Sequence, residues 1–356
     1  MLDFRHLISM TDDIGMLQFS RKSRPDPASG YTLDDNARAL MVALYMPDSD
    51  PYLFKYTNYL YLSQQKDGSW SNFMYNGKFY SRYNSEDSVG RALLACSMGM
   101  QATIPDIREM CQSMMERNLP LALNFRSPRA IAYTLVALCC QDQATVDKRK
   151  TSLIQHLYDF LKNLYQNTAG DRWYWFENYL TYCNGILPQS MFALYKATGD
   201  KTALKIGTES LGFLIDVLFQ KGYLNIIGNR GWYHRGQPIP DFDQQPVDAA
   251  SVVMACLQAY KVTDQKDYLK LANLADSWYR GNNRLSLSLY DEKTGGCFDA
   301  LTPDGVNLNQ GAEAVLSLLL SDIFLTEALG QGGRYHNSSM LANCGDPTTG
   351  TGTVIL

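Results

Sequence analysis

Six stretches of this 356-residue chain are apolar or small on nearly every face, and six polar, amphipathic stretches alternate with them. The first set opens at Asp34 (DDNARALMVALY), Glu86 (EDSVGRALLACSMG), Ser127 (SPRAIAYTLVALCC), Gly185 (GILPQSMFALYKAT), Gln245 (QPVDAASVVMACLQAY) and Asn309 (NQGAEAVLSLLLSDIF). A helix with no polar face has to be buried all round. The second set covers residues 3–19, 51–65, 104–117, 148–166, 201–219 and 265–280. In TSLIQHLYDFLKNLY, for example, Leu153, Ile154, Leu157, Phe160, Leu161 and Leu164 follow the i, i+3, i+4 rule while Gln155, Asp159 and Lys162 face away. The chain reads as outer helix, inner helix, six times over. Its 46% apolar and 19% charged residues supply the large core that this order needs.

Connections from an outer stretch into an inner one are long (20–33, 66–85, 118–127, 167–185, 220–245 and 281–309), and those running back are short, as in PDSD, ATGDK and TDQKD. The order resembles the (α/α)6 toroid, the all-α fold of six helical hairpins found in many glycoside hydrolases, some polysaccharide lyases and sugar epimerases. The expected organisation is a single toroid over 1–330, with small β-hairpins in rim loops such as RLSLSLYD (284–291), and a Gly/Ser/Thr-rich tail over 331–356. Long loops gathered at one end of a rigid scaffold are where a site is built. Here that end carries the N-termini of the inner helices.

A net charge of −4 gives no footprint for nucleic acid or an anionic membrane. Nowhere do eighteen apolar residues run together, and MLDFRHLISMTDDIGM lacks the apolar core of a secretory signal, so the expected location is cytoplasmic with no membrane span. The eight cysteines show no ligand spacing and sit mostly in Ala/Leu-rich helical contexts, where a reduced thiol is a small hydrophobe. The four histidines (His6, His156, His234, His336) are not spaced with carboxylates as a metal motif, so neither metal nor cofactor is expected.

The motif TLDDNARAL returns as SEDSVGRAL. Aligned on Arg38 and Arg91, Asp34 matches Asp87, each placed for an N-cap bond and an i, i+4 ion pair. Asp35 and Glu86 have no such structural role. A glycosidase needs one protonated acid beside the leaving oxygen and one carboxylate as nucleophile or base. The candidates for proton chemistry are Asp35, Glu86, Asp87, Glu177 and Glu313, with Asp34 closer to a capping role and counted among sugar-binding residues. Glu177 lies in DRWYWFENYLTYCNG, where surrounding aromatics are expected to favour its protonated form. Glu313, a few residues into an otherwise apolar helix, is an expensive carboxylate to bury without purpose.

The expected sugar-binding residues are Trp70, Trp175, Tyr182, Asn184, Trp232, His234, Arg235, Asp243, Gln244, Gln245, Asp248, Asn309 and Gln310. Planar amides and carboxylates beside aromatics suit paired hydrogen bonds to vicinal hydroxyls, and Arg235 suits an anionic group such as phosphate or a uronate.

Together TLDDNARAL, SEDSVGRAL, WFENYLTYCNGILPQS, FDQQPVDA and GVNLNQGAEA are similar to a bacterial six-hairpin domain that occurs alone or attached to group 1 glycosyltransferases, near genes for mannoside phosphorylases and other glycan enzymes. The chain departs from that pattern at Cys183, where the resemblance leads one to expect an acidic residue. The resemblance implies a carbohydrate-active or carbohydrate-binding toroid. The expected function is hydrolysis of an oligosaccharide or glycan, such as a mannoside, by paired carboxylates. The alternatives are a non-catalytic glycan-binding module partnering a glycosyltransferase, or a sugar epimerase or lyase.

Overall fold

The computed structural model describes residues 2–81, 85–141 and 147–330, and the expected 331–356 tail lies outside the described residues. Twelve α-helices form among the described residues: α1 Arg5–Ser9, α2 Leu33–Ala43, α3 Asp50–Ser63, α4 Glu86–Gly99, α5 Pro105–Ala122, α6 Pro128–Cys139, α7 Lys148–Thr168, α8 Ile186–Thr198, α9 Lys201–Leu218, α10 Pro246–Thr263, α11 Lys266–Asp276 and α12 Ala312–Ala328. The even-numbered helices are the apolar set. Each packs on the next around the axis, and α12 returns to pack on α2, so the inner ring closes. The odd-numbered helices lie outside it. This is an all-α (α/α)6 toroid, with short antiparallel β-hairpins confined to the loops.

Glycine lets the inner helices approach closely at two points. A Cβ at Gly90 on α4 would lie 2.9 Å from Ala130 Cα on α6, and one at Gly185, the N-cap of α8, would collide with the carbonyl of Ser251 on α10. The starts of the inner helices are fixed by local chemistry. Thr32 caps α2 by accepting the Asp35 N–H, and Ser127 caps α6 by accepting the Ala130 N–H.

Two elements differ from the sequence reading. The first outer helix stops at Ser9, because the Asp12 carboxylate accepts the N–H groups of Ile14 and Gly15 and turns the chain before a short hairpin. The last inner helix begins at Ala312 rather than Asn309, because the Gly311 N–H donates to Asp299 at 2.6 Å and the residues before it run extended.

Among the described residues no helix is long and apolar enough to cross a membrane.

Candidate functional site

A cavity of about 330 Å³ opens at the end of the toroid that carries the inner-helix N-termini. Asp34 and Asp35 enter it from the start of α2, Gln245 from the start of α10 and Glu313 from the first turn of α12. Loops add Asp243 and Asp299, making five lining carboxylates, with Asn229 and Asn307 beside them. Phe19, 54% exposed, stands at the rim and offers a flat apolar face.

One guanidinium organises the floor. Arg38 on α2 is buried and donates to Asp35 at 3.1 Å and to Glu313 at 2.9 Å, with Asp34 3.5 Å away. Arg91 on α4 approaches Asp34 from the other side at 3.6 Å. Two guanidiniums thus face three carboxylates, and the excess negative charge is most easily relieved by a proton. Burial, then the Asp34 charge, pushes Asp35 up to about 7 in spite of Arg38. Burial acts the same way on Asp34, but Arg38 and Arg91 outweigh it and hold that carboxyl below the usual range. The two acids titrate as a coupled pair with split affinities. Thr32 Oγ donates to Asp35 at 2.6 Å and fixes its orientation.

Two other acids are also shifted. Burial raises Asp299 to about 6, although the Gly311 N–H opposes it. Burial likewise raises Asp248 to about 7, with the Cys183 N–H bound at 2.5 Å working against it.

Several residues expected at the site are held in the wall instead. Glu86 accepts the N–H groups of Arg126 and Ser127 at 2.7 and 2.6 Å, tying α4 to the start of α6, so it does have a structural role. Asp87 is buried, with one oxygen bound to the Ser127 hydroxyl and the other to the Tyr182 hydroxyl at 2.6 Å. Glu177 pairs with the buried Arg129 at 3.0 Å, and Arg129 also holds the Tyr182 carbonyl and Asn184 Oδ1. Asn184 spends its amide on Thr181 and Arg129. Tyr182, half-buried, packs against Trp232 with ring centroids 6.0 Å apart, and neither lines the cavity.

Two of the three expected sugar-stacking tryptophans are core residues, and the third, Trp232, is half-buried. Trp70 is buried and donates to the Leu60 carbonyl at 2.9 Å, while Trp175 is wholly buried against Phe176 and Phe213. Gln244 is buried, bound to Asn225 and Trp278. Gln310 is bound to Thr294 and Asp291, and Asn309 accepts the Lys22 N–H. His234 is exposed on a short strand that pairs with the Tyr179–Leu180 segment of a distant loop, beside Tyr179. Arg235 donates to the carbonyls of Thr168 and Gly170 and stacks on Trp173, so its charge holds a loop and is not offered to an anion. Asp35, Glu313, Asp34, Asp243 and Gln245 are therefore the expected residues brought together in the cavity.

Asp299 and Phe19 were not singled out from sequence. Asp299 was legible only as the acid in GGCFDALTPDG, ahead of a hairpin, and Phe19 fell inside a stretch read as helix. Among the described residues no group of three or more His, Cys, Asp or Glu side chains is arranged to hold a metal ion.

No protein-family model matches the chain, and no curated protein matches it. Solved structures do. A sugar epimerase from a ruminal bacterium superposes with TM-score 0.69 at 13% identity, over 93% of this chain and 96% of that one. The cellobiose 2-epimerase of Spirochaeta thermophila gives 0.64 at 15%, over 92% and 94%. The GH76 α-mannanase BT2949 of Bacteroides thetaiotaomicron gives 0.56 at 13%, over 85% and 88%. At such identities the shared property is the toroid itself.

Proposed function

We propose that the protein is a carbohydrate-active enzyme that cleaves a glycosidic bond in the acid-lined cavity. The observation that carries this reading is the Arg38 bridge, which sets a carboxyl raised to about 7, Asp35, and a cavity-lining carboxylate, Glu313, on one guanidinium. Asp35 has the protonation a general acid needs near neutrality, and it gives its proton to the departing glycosidic oxygen. Glu313, its side chain 43% exposed, acts at the sugar carbon as nucleophile or as base toward water. Asp243, Gln245 and Asn229 supply the hydrogen bonds that hold the sugar, and Phe19 the stacking face. The fold neighbours, two sugar epimerases and a mannanase, agree with this class of substrate.

The test is incubation with manno-, gluco- and galacto-oligosaccharides, with products read by mass spectrometry. Asp35→Asn and Glu313→Gln are expected to fold and to lose about 10²- to 10⁴-fold in kcat. Full activity in both variants refutes the assignment.

A second reading, epimerisation or isomerisation of a sugar, is favoured by the two epimerases among these neighbours. It predicts an unchanged product mass in H2O and uptake of one deuterium in D2O. A third, a glycan-binding partner of a glycosyltransferase, predicts a saturable rise in Tm with oligosaccharide and no product.

A further inference from the structure

Beneath the carboxylates, one to two helical turns down the toroid axis, lies a second cavity of about 80 Å³. Its walls are mostly apolar side chains of the inner helices, but Arg38, Arg91, Tyr133, Cys183 and Gln189 also face it. Arg91 is only 6% exposed. Its contacts are poor for a buried guanidinium. One terminal nitrogen lies 3.6 Å from Asp34, an acid it shares with Arg38. The other donates to the Cys183 thiol at 3.6 Å, the ring of Tyr133 lies 5.1 Å away, and Nε has no hydrogen-bond partner among the described residues.

An arginine stays charged at any working pH, and a buried charge without good acceptors is costly. Glu313 reaches Arg38, so Arg91 is left with a share of Asp34 and a weak sulfur acceptor. The side of Arg91 formed by Nε and its neighbouring terminal nitrogen is the fork that binds oxyanions through two parallel hydrogen bonds. The cavity's volume of about 80 Å³ is several times the roughly 10–15 Å³ that one water needs, so a small oxyanion fits. Gln189 adds a neutral amide to the same cavity.

We propose that the axial cavity is a binding site for a small oxyanion of phosphate, sulfate or formate size, held by Arg91 with support from Gln189. The anion replaces the Cys183 thiol as the acceptor for Arg91. This also gives the position of Cys183 a physical sense, since an acidic side chain there would fill the anion's place. The proposal is independent of the sugar chemistry, and its primary test uses inorganic anions and formate alone.

Purified protein is melted in increasing sodium phosphate, sulfate or formate, with ionic strength held constant by sodium chloride. The expected result is a saturable rise in Tm for at least one anion. A linear, unsaturable rise, equal for wild type and variants, is the general salting effect and overturns the proposal. Arg91→Lys keeps the charge but not the fork and is expected to weaken the saturable component about tenfold or more. Gln189→Leu leaves Arg91 intact, is expected to weaken it several-fold, and decides the matter if the arginine variant does not fold. A saturable shift unaffected by Gln189→Leu and by a folded Arg91→Lys refutes the site. A hexose 6-phosphate run in parallel separates two sources of the same chemistry: tighter binding than inorganic phosphate assigns the cavity to the charged end of a substrate, and weaker binding assigns it to the free ion.

Discussion

Asp35 provides a measurement that does not depend on knowing the substrate. Its carboxyl is raised from 3.8 to about 7 by burial and by the neighbouring Asp34 charge. Between those two values the folded protein binds a proton that the unfolded chain has released. Stability therefore falls as pH rises through that window, and the loss is complete above about pH 7. At about 1.4 kcal/mol per pKa unit the penalty amounts to ~4 kcal/mol. Asp35→Asn removes it. The amide oxygen still accepts from Arg38 and the amide nitrogen faces Thr32, so the folded variant resembles protonated Asp35, less about 1 kcal/mol for exchanging a hydroxyl for an amide. The net expectation is a variant ~3 kcal/mol more stable than wild type at pH 8, or about 4 °C in Tm for a chain of this length, and nearly equal at pH 4.5, where folded wild-type Asp35 is protonated and only about 1 kcal/mol of the penalty has developed. Thermal melts at half-unit steps from pH 4.5 to 8 read this directly. A wild-type/variant difference that stays flat across the range, or a variant less stable at pH 8, would refute the claim that Asp35 carries a proton near neutrality. Greater stability joined to lost turnover is the trade-off expected when a strained group is kept for chemistry.

Three further outcomes follow from the placement of individual side chains. Glu86→Gln weakens the tie to the Arg126 and Ser127 N–H groups and is expected to cost about 1 kcal/mol in urea unfolding while leaving turnover unchanged. Trp70→Phe loses the bond to the Leu60 carbonyl and some packing, costing about 1–2 kcal/mol, with oligosaccharide affinity unaltered by calorimetry; a large affinity loss would return Trp70 to the site. Phe19→Ala is expected to do the reverse, weakening sugar binding by a factor of about 3–10 with little change in Tm, because the ring is exposed at the cavity rim.

Helix periodicity made the toroid legible, because a helix with small and apolar residues all round has only one place to go, and six of them in alternation with wet helices close a ring. The cavity end was legible too, from the long loops. The side-chain assignments were less so, because sequence position does not say which way a loop residue faces. Trp70 and Trp175 look like sugar platforms, yet the Trp70 indole has a backbone acceptor in reach and Trp175 is wholly buried against Phe176 and Phe213. Arg235 looks like an anion clamp, yet the carbonyls of Thr168 and Gly170 take its donors. Asp299 gave no signal because its importance comes from the Gly311 N–H and from Glu313, partners that only folding brings near.

The repeated acid–arginine motif shows why a pattern can be read correctly and its role still be missed. In the first copy the i, i+4 pair forms, Arg38 to Asp34, and the arginine reaches on to Asp35 and across the ring junction to Glu313. In the second copy the spacing is the same, but Asp87 turns to Ser127 and Tyr182 on the next hairpins, and Arg91 reaches back to Asp34 of the first. The difference lies in the neighbours around the ring. Between α2 and α12, burial and then the Asp34 charge favour a proton on Asp35, and Glu313, a third carboxylate on the same arginine, adds to them. Beside α4 stand two hydroxyls that donate to Asp87. The same local sequence thus gives a buried carboxyl with a raised pKa at one seam of the toroid and a bracing hydrogen-bond acceptor at the next. Glu313 adds to that difference, 275 residues from Arg38 in sequence and 2.9 Å from it in space.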